Sequence, residues 1–107
     1  MPPAHDILFA SLSDPTRRAI YERLCREGEV TVTALTTGAG VSQPVVSRHL
    51  AQLKRAGLVC DRPAGRQTHY SAVPGALAPL ADWTRQMDAF WQARFDDLEN
   101  LLKRMDQ

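Results

Sequence analysis

The sequence predicts a mainly α-helical chain with one small β-hairpin, in the order α-α-α-α-β-β-α. Three observations carry this prediction. Up to residue 57, short amphipathic segments are bracketed by helix start and stop residues. LVCDRP and QTHYSAV are strand-like runs a few residues apart. From Leu80 to Met105, apolar residues recur at spacings of 3 and 4, apart from adjacent pairs.

A chain of 107 residues suits one domain, expected over 1–107 with its long final helix at about 75–105. The apolar fraction of 44% and charged fraction of 23% are those of an ordinary folded chain. No apolar run approaches the roughly 18 residues needed to cross a membrane. MPPAHDILFASL lacks the basic start and apolar core of a signal peptide. A cytoplasmic protein with no membrane partner is expected.

The first helix is expected over His5 to Leu12, where Ile7, Leu8 and Leu12 form a narrow apolar stripe. In LSDPTRRAIYERL, Ser13 or Asp14 caps a second helix, and Pro15 takes its first position, where a missing N–H costs little. Ala19, Ile20 and Leu24 are expected inward, and the helix stops near Gly28. VTVTALTTGAG holds a short third helix, capped at Thr33, with Leu35 inward and Gly38 and Gly40 closing it. Ser42 caps the fourth helix, from about Gln43 to Ala56, and Gly57 ends it.

In the hairpin, Leu58 and Cys60 alternate with Val59 and Asp61, so one of these faces can pack inward. Arg66 sits at the tip. Cys25 and Cys60 are expected to be reduced, half-buried thiols; a disulfide or a shared metal site is the alternative. The final helix begins at Pro74 or Pro79. About 27 residues at 1.5 Å each span roughly 40 Å, longer than so small a domain can cover. Its first half is expected to fold back on the chain's own core and its second half to meet another subunit. A twofold dimer is the commonest closed arrangement.

The net charge of +1 hides an uneven distribution. Residues 1–41 carry −1 and residues 71–107 carry −2. Residues 42–70 carry Arg48, Lys54, Arg55, Arg62 and Arg66 against Asp61 alone, which is +4. A local basic patch on a near-neutral chain is an electrostatic footprint for nucleic acid.

Two helices joined by a tight glycine-containing turn form a helix-turn-helix, whose second helix can enter a DNA major groove. With Val46 at the centre of the buried face, Leu50 and Leu53 fall within about 40° of it at 100° per residue. Pro44, Arg48, Ala51 and Arg55 then fall opposite, flanked by Ser47 and Gln52, with Gln43 near the edge. Pro44 follows the Ser42 cap and breaks no intrahelical bond. Gln43, Ser47 and Arg48 are of types that bond base edges. The unbonded N–H groups within residues 43–45, those of Gln43 and Val45, suit a phosphate. Arg66 can reach a minor groove or the backbone.

Blander alternatives stand beside these readings. Arg48 and Arg55 also fit a solvated face. His49 lies nearer the buried side and fits a hydrogen-bonded structural residue better than a base reader. Arg17 and Arg18 could touch phosphate, but Arg18 equally suits pairing with Glu22, and both are left out of the site. Tyr70 is expected in the core. No GxSxG, HExxH or phosphate-binding loop is present, so no enzyme and no cofactor are expected.

LSDPTRRAIYERL, SQPVVSRHLAQLKRAGLV and GRQTHYS, in this order, resemble the ArsR-type (arsenical-repressor-type) family of bacterial transcription repressors. The resemblance implies a winged helix-turn-helix, a homodimer held by the first and last helices, and a palindromic DNA operator. It places Gln43, Ser47 and Arg48 in the major groove, with His49 as a further contact, and Arg66 on the wing; Ser42, Pro44 and Arg55 complete the expected DNA-binding set. On those two helices Leu8, Leu12, Met87, Trp91, Phe95, Leu98 and Leu102 are the residues expected between subunits. The sequence departs from metal-sensing members: TALTTGAG has neither Cys nor His, and the last helix has Asp82, Asp88, Asp96 and Asp97 but no His. Zinc and thiophilic metals prefer Cys and His, so no sensing through those sites is expected.

Overall fold

The computed structural model describes residues 1–106. Its elements are α1 (Ala4–Leu12), α2 (Pro15–Glu27), β1 (Val30–Thr31), α3 (Val32–Thr36), α4 (Gln43–Arg55), β2 (Val59–Ala64), β3 (Gln67–Ala72) and α5 (Ala78–Met105). The chain divides into two compact units, Met1–Leu77 and a second beginning at Ala78.

Side-chain caps start α2 and α3. Asp14 caps α2: its carboxylate accepts the Arg17 backbone N–H at 2.8 Å, and Pro15 follows it. The Ser13 hydroxyl instead donates back to the Ala10 carbonyl. Thr31, not Thr33, caps α3, accepting from the Ala34 N–H at 3.1 Å. The expected cap lay two residues late because β1 runs directly into α3. On α2, Ile20, Leu24 and Tyr21 are buried and Ala19 is exposed. The buried face is centred toward Tyr21, where a large ring fills more of the core than Ala19 could.

Leu24, Leu35, Val46, Leu50, Leu53 and Leu58 form the core and are each under 2% exposed. α2, α3 and β2 pack on α4, and β3 packs on α2 and α3. α4 ends in a Schellman turn. The Leu58 N–H donates to Leu53 and the Gly57 N–H to Lys54, both at 3.0 Å, with Gly57 at φ 80°. This turn places Leu58 in the core ahead of β2. The strand then starts at Val59, which is buried, so Cys60 points outward. The sequence pattern had paired Leu58 with Cys60 on one strand face. Cys25 is exposed as well, so neither thiol is half-buried.

The sheet has three antiparallel strands in the order β1-β3-β2, with Val30 opposite Tyr70 and Asp61 on Tyr70's other side. β1 was not expected, because two residues are too short to show a period of 2. Tyr70 is half-buried. Pro74 and Gly75 occupy the middle of a turn closed by the Ala76 N–H on the Val73 carbonyl, with Gly75 at φ 76°. This is the proline-then-glycine chemistry of a type II turn, so Pro74 precedes the helix rather than opening it.

The second unit is α5, 28 residues long, none of them buried. Phe90, Trp91, Phe95, Leu98, Leu101, Leu102 and Met105 are each 47% to 72% exposed. At 100° per residue they fall on one stripe roughly 140° wide.

Candidate nucleic-acid interface

The roll of α4 about its own axis decides which side chains are free. Val46, Leu50 and Leu53 are each 0% exposed, so one stripe is fully committed to the core. Gln43, Pro44, Ser47, Arg48, Ala51 and Arg55 are exposed. Ser42 has the extended backbone of a cap (φ −73°, ψ 161°), but its side chain makes no capping bond. The Gln43 and Val45 N–H groups therefore lack that partner, and Pro44 has no N–H to offer.

Two residues that flank the exposed face are engaged elsewhere. The His49 side chain is 12% exposed, with Nε2 3.8 Å from Asp14 Oδ2 on the α2 cap. Its Nδ1 is buried with no hydrogen-bond partner among the described residues. Gln52 accepts a hydrogen bond from Arg17. Arg55 shares the face of Arg48 but sits at the far end of α4, roughly 18 Å from Gln43. There it lines a cleft with Ile7, Ala10 and Ser11 of α1.

The wing meets the leading end of α4. Gln43 and Ser47 line one concavity of about 160 Å³ with Arg66, Gln67 and Thr68 of the hairpin and Thr31–Thr33. Residues 24 positions apart in the chain thus share one surface. Sequence reasoning had singled out Gln43, Ser47 and Arg66. It missed Thr33, Gln67 and Thr68, although the last two follow the hairpin tip directly.

Only part of the positive charge of residues 42–70 is free. Lys54 pairs with Asp61 at 2.9 Å, and Arg62 grips Glu29 with two nitrogens at 2.6 and 3.2 Å. The hydrogen bond to Asp61 pushes Lys54 above its ordinary pKa, and that from Arg62 holds Glu29 below its own. His69 Nδ1 lies 3.5 Å from the same Glu29 carboxylate. Arg48, Arg55 and Arg66 form no ion pair among the described residues, so their charge is available to an anionic partner. Arg18 does not pair with Glu22; it donates to the Leu12 carbonyl at 2.9 Å.

The surface thus presents a helix with a polar leading edge, unpaired guanidinium groups and an adjacent basic hairpin tip. Residues 12–60 match a helix-turn-helix domain family model. The chain is 46% identical over 86 residues to the HTH-type transcriptional regulator Rv2034 of Mycobacterium tuberculosis, covering 80% of this chain and 77% of that protein. It is 35% identical over 98 residues to the arsenical resistance operon repressor of Escherichia coli, covering 92% and 81%. Among solved structures, an ArsR-like transcriptional regulator from Rhodococcus sp. RHA1 superposes with a TM-score of 0.76 at 30% identity, covering 92% of each chain. Sequence, fold and the exposed edge of α4 agree: the chain belongs to the ArsR family of winged helix-turn-helix transcriptional repressors.

Proposed function

We propose that this chain represses transcription by binding a palindromic operator as a homodimer, and that it regulates its own operon. The observation that carries the reading is the shared surface of α4 and the wing. Arg48 with Gln43 and Ser47 matches major-groove chemistry, where a good bidentate contact discriminates by about 1–3 kcal/mol. Ser42 and Pro44 bring the helix end against the backbone, Arg66 reaches an adjacent minor groove or phosphate, and Arg55 meets phosphate at the far end. His49 has the weakest claim to a base, because its ring faces Asp14.

The apolar stripe of α5 supports a second copy of this chain as its partner. Met87 is half-buried, while Trp91, Phe95, Leu98 and Leu102 are free to pack. The large exposed side chains of that stripe together offer roughly 600–800 Å², near the share of one partner in a standard interface. From α1, Leu12 remains half-buried, but Leu8 is 4% exposed within the single chain and is already used by its own packing. Phe9, 42% exposed, takes its place.

Metal sensing at the two family positions does not fit these residues. α3 reads VTALT, and α5 offers carboxylates with neither Cys nor His. The exposure of Cys25 and Cys60 favours a thiol-redox switch as the second reading. It fails if Cys25→Ser/Cys60→Ser leaves the oxidant response of DNA binding unchanged.

A fluorescence-anisotropy titration with fragments of the promoter upstream of the gene tests the main reading. Tight binding that weakens steeply with salt is expected, because phosphate contacts release counterions. Arg48→Ala is expected to bind 10- to 100-fold more weakly. Equal binding by wild type and Arg48→Ala refutes the assignment of α4.

A further inference from the structure

Arg17 stands outside the surface just described, yet it makes more directed contacts than any residue on it. Its guanidinium donates through Nε to the Ser11 carbonyl, through Nη2 to the Ala10 carbonyl at 3.2 Å, and through Nη1 to Gln52 Oε1 at 2.5 Å. Its backbone N–H completes the Asp14 cap. One side chain thus joins the end of α1, the start of α2 and the flank of α4.

Each contact has a physical reason. The last carbonyls of a helix have no intrahelical donor, and α1 has no basic residue in its own last turn. Arg17 supplies a donor to the Ser11 carbonyl, a further one to the Ala10 carbonyl beside the Ser13 hydroxyl, and positive charge from α2. Gln52 lies one turn beyond His49, and His49 lies against Asp14. The first turn of α2 therefore meets α4 at two successive turns of the same flank.

The apolar stripe alone does not set the roll of α4 finely, since hydrophobic contact is non-directional. A roll of about 20° at the 5–6 Å radius of a helix with side chains moves a side-chain tip by about 2 Å. Hydrogen bonds to base edges tolerate only a few tenths of an ångström. The single Nη1–H of Arg17 on the Gln52 amide oxygen is directional, and the other guanidinium nitrogens anchor it to the end of α1.

We propose that Arg17 is a positioning residue for base readout: it touches no DNA, and through Gln52 it holds the roll of α4 against the end of α1. The inference rests on the reading of α4 given above. Because α1 is also assigned to the dimer, the same side chain transmits the geometry of the subunit pair to the reading edge.

The test compares operator and random DNA of equal length across a salt series, for wild type, Arg17→Gln, Gln52→Met and the double variant. Gln52→Met keeps length and helix propensity while removing the acceptor, so it carries the test even if Arg17→Gln does not fold. About tenfold weaker operator binding is expected for either variant, with unchanged random-DNA binding, an unchanged salt slope, and no further loss in the double variant. A salt slope lowered by about one per site, with random-DNA binding lost in parallel, makes Arg17 a phosphate contact and overturns the proposal. Loss in Gln52→Met but not in a folded Arg17→Gln assigns Gln52 itself to the bases and also overturns it. Variants that match wild type refute the role of Arg17 alone. A wild type that does not prefer its operator removes the reading of α4, and this inference with it.

Discussion

Replacing Phe95 with alanine is expected to weaken the proposed dimer about a thousandfold while leaving the single chain folded. Phe95 is 60% exposed and packs beside Trp91 at a ring-centroid distance of 6.5 Å. An aromatic side chain buries about 150–250 Å² in full, so roughly 100 Å² of Phe95 remains for a partner to cover. Two copies lose roughly 200 Å², worth about 5 kcal/mol at about 25 cal/mol per Å². Relief from ordering the ring takes back part of this, leaving about 4 kcal/mol, or about three decades in Kd. Alanine is the better helix former, so α5 itself is not weakened. Sedimentation equilibrium from nanomolar to micromolar protein measures the change, and far-ultraviolet circular dichroism checks the helix. Asp96→Ala, on the opposite side of α5, is the control and should dimerise as wild type does. A Phe95→Ala dimer within threefold of wild type, or a wild type monomeric at micromolar concentration, refutes the reasoning.

Other outcomes follow from the packing and charges of the first unit. Leu50→Ala, at a 0% exposed site, should cost about 3–5 kcal/mol in urea unfolding; a loss under about 1 kcal/mol contradicts the α4 core. Gly57→Ala should cost about 1–2 kcal/mol, purely from its φ of 80°, since an added Cβ meets nothing within 4 Å. Gly57→Asn, which tolerates that conformation better, should lose less. Asp14 is held below its ordinary pKa first by the Arg17 backbone N–H, and Glu29 first by its hydrogen bond from Arg62. Both carboxylates are lowered in the fold, so their contribution is present above the ordinary values of 3.8 and 4.5 and is lost as pH falls through the lower folded values. Thermal melts from about pH 6 to about pH 3 should therefore fall less steeply for Asp14→Asn/Glu29→Gln than for wild type; parallel curves contradict both assignments. Tyr21 is pushed up to about 12, first by burial and then by its hydrogen bond with Cys25. Its raised value gives stability that is full below pH 10 and lost as pH rises to about 12, a loss Tyr21→Phe should remove.

The candidate site was legible where the signal is local. Val46, Leu50 and Leu53 stand at i, i+4 and i+7, and only one roll of a helix buries all three. That roll exposes Gln43, Ser47, Arg48 and Arg55 without any knowledge of the neighbours. Asp14–Pro15, Gly28 and Gly57 marked helix ends for equally local reasons, because capping involves residues within one turn. The apolar spacing of α5 likewise needed only a count along the chain.

What the sequence alone determined was therefore the order of the helices and the hairpin, the buried stripe of α4 and the basic bias of residues 42–70. Which charges stay free was decided by the tertiary structure. Arg62 lies 33 residues from Glu29, yet strand pairing brings them together and removes one apparent DNA-binding cation. Arg17 lies 35 residues from Gln52, and the angle at which α2 meets α4 turns that pair into a clamp. β1 exists because β3 offers an edge, and Cys60 is exposed because a Schellman turn claimed Leu58 for the core. Periodicity and capping are properties of a segment, whereas the partner of a long side chain depends on where other segments pack, and no local pattern encodes that.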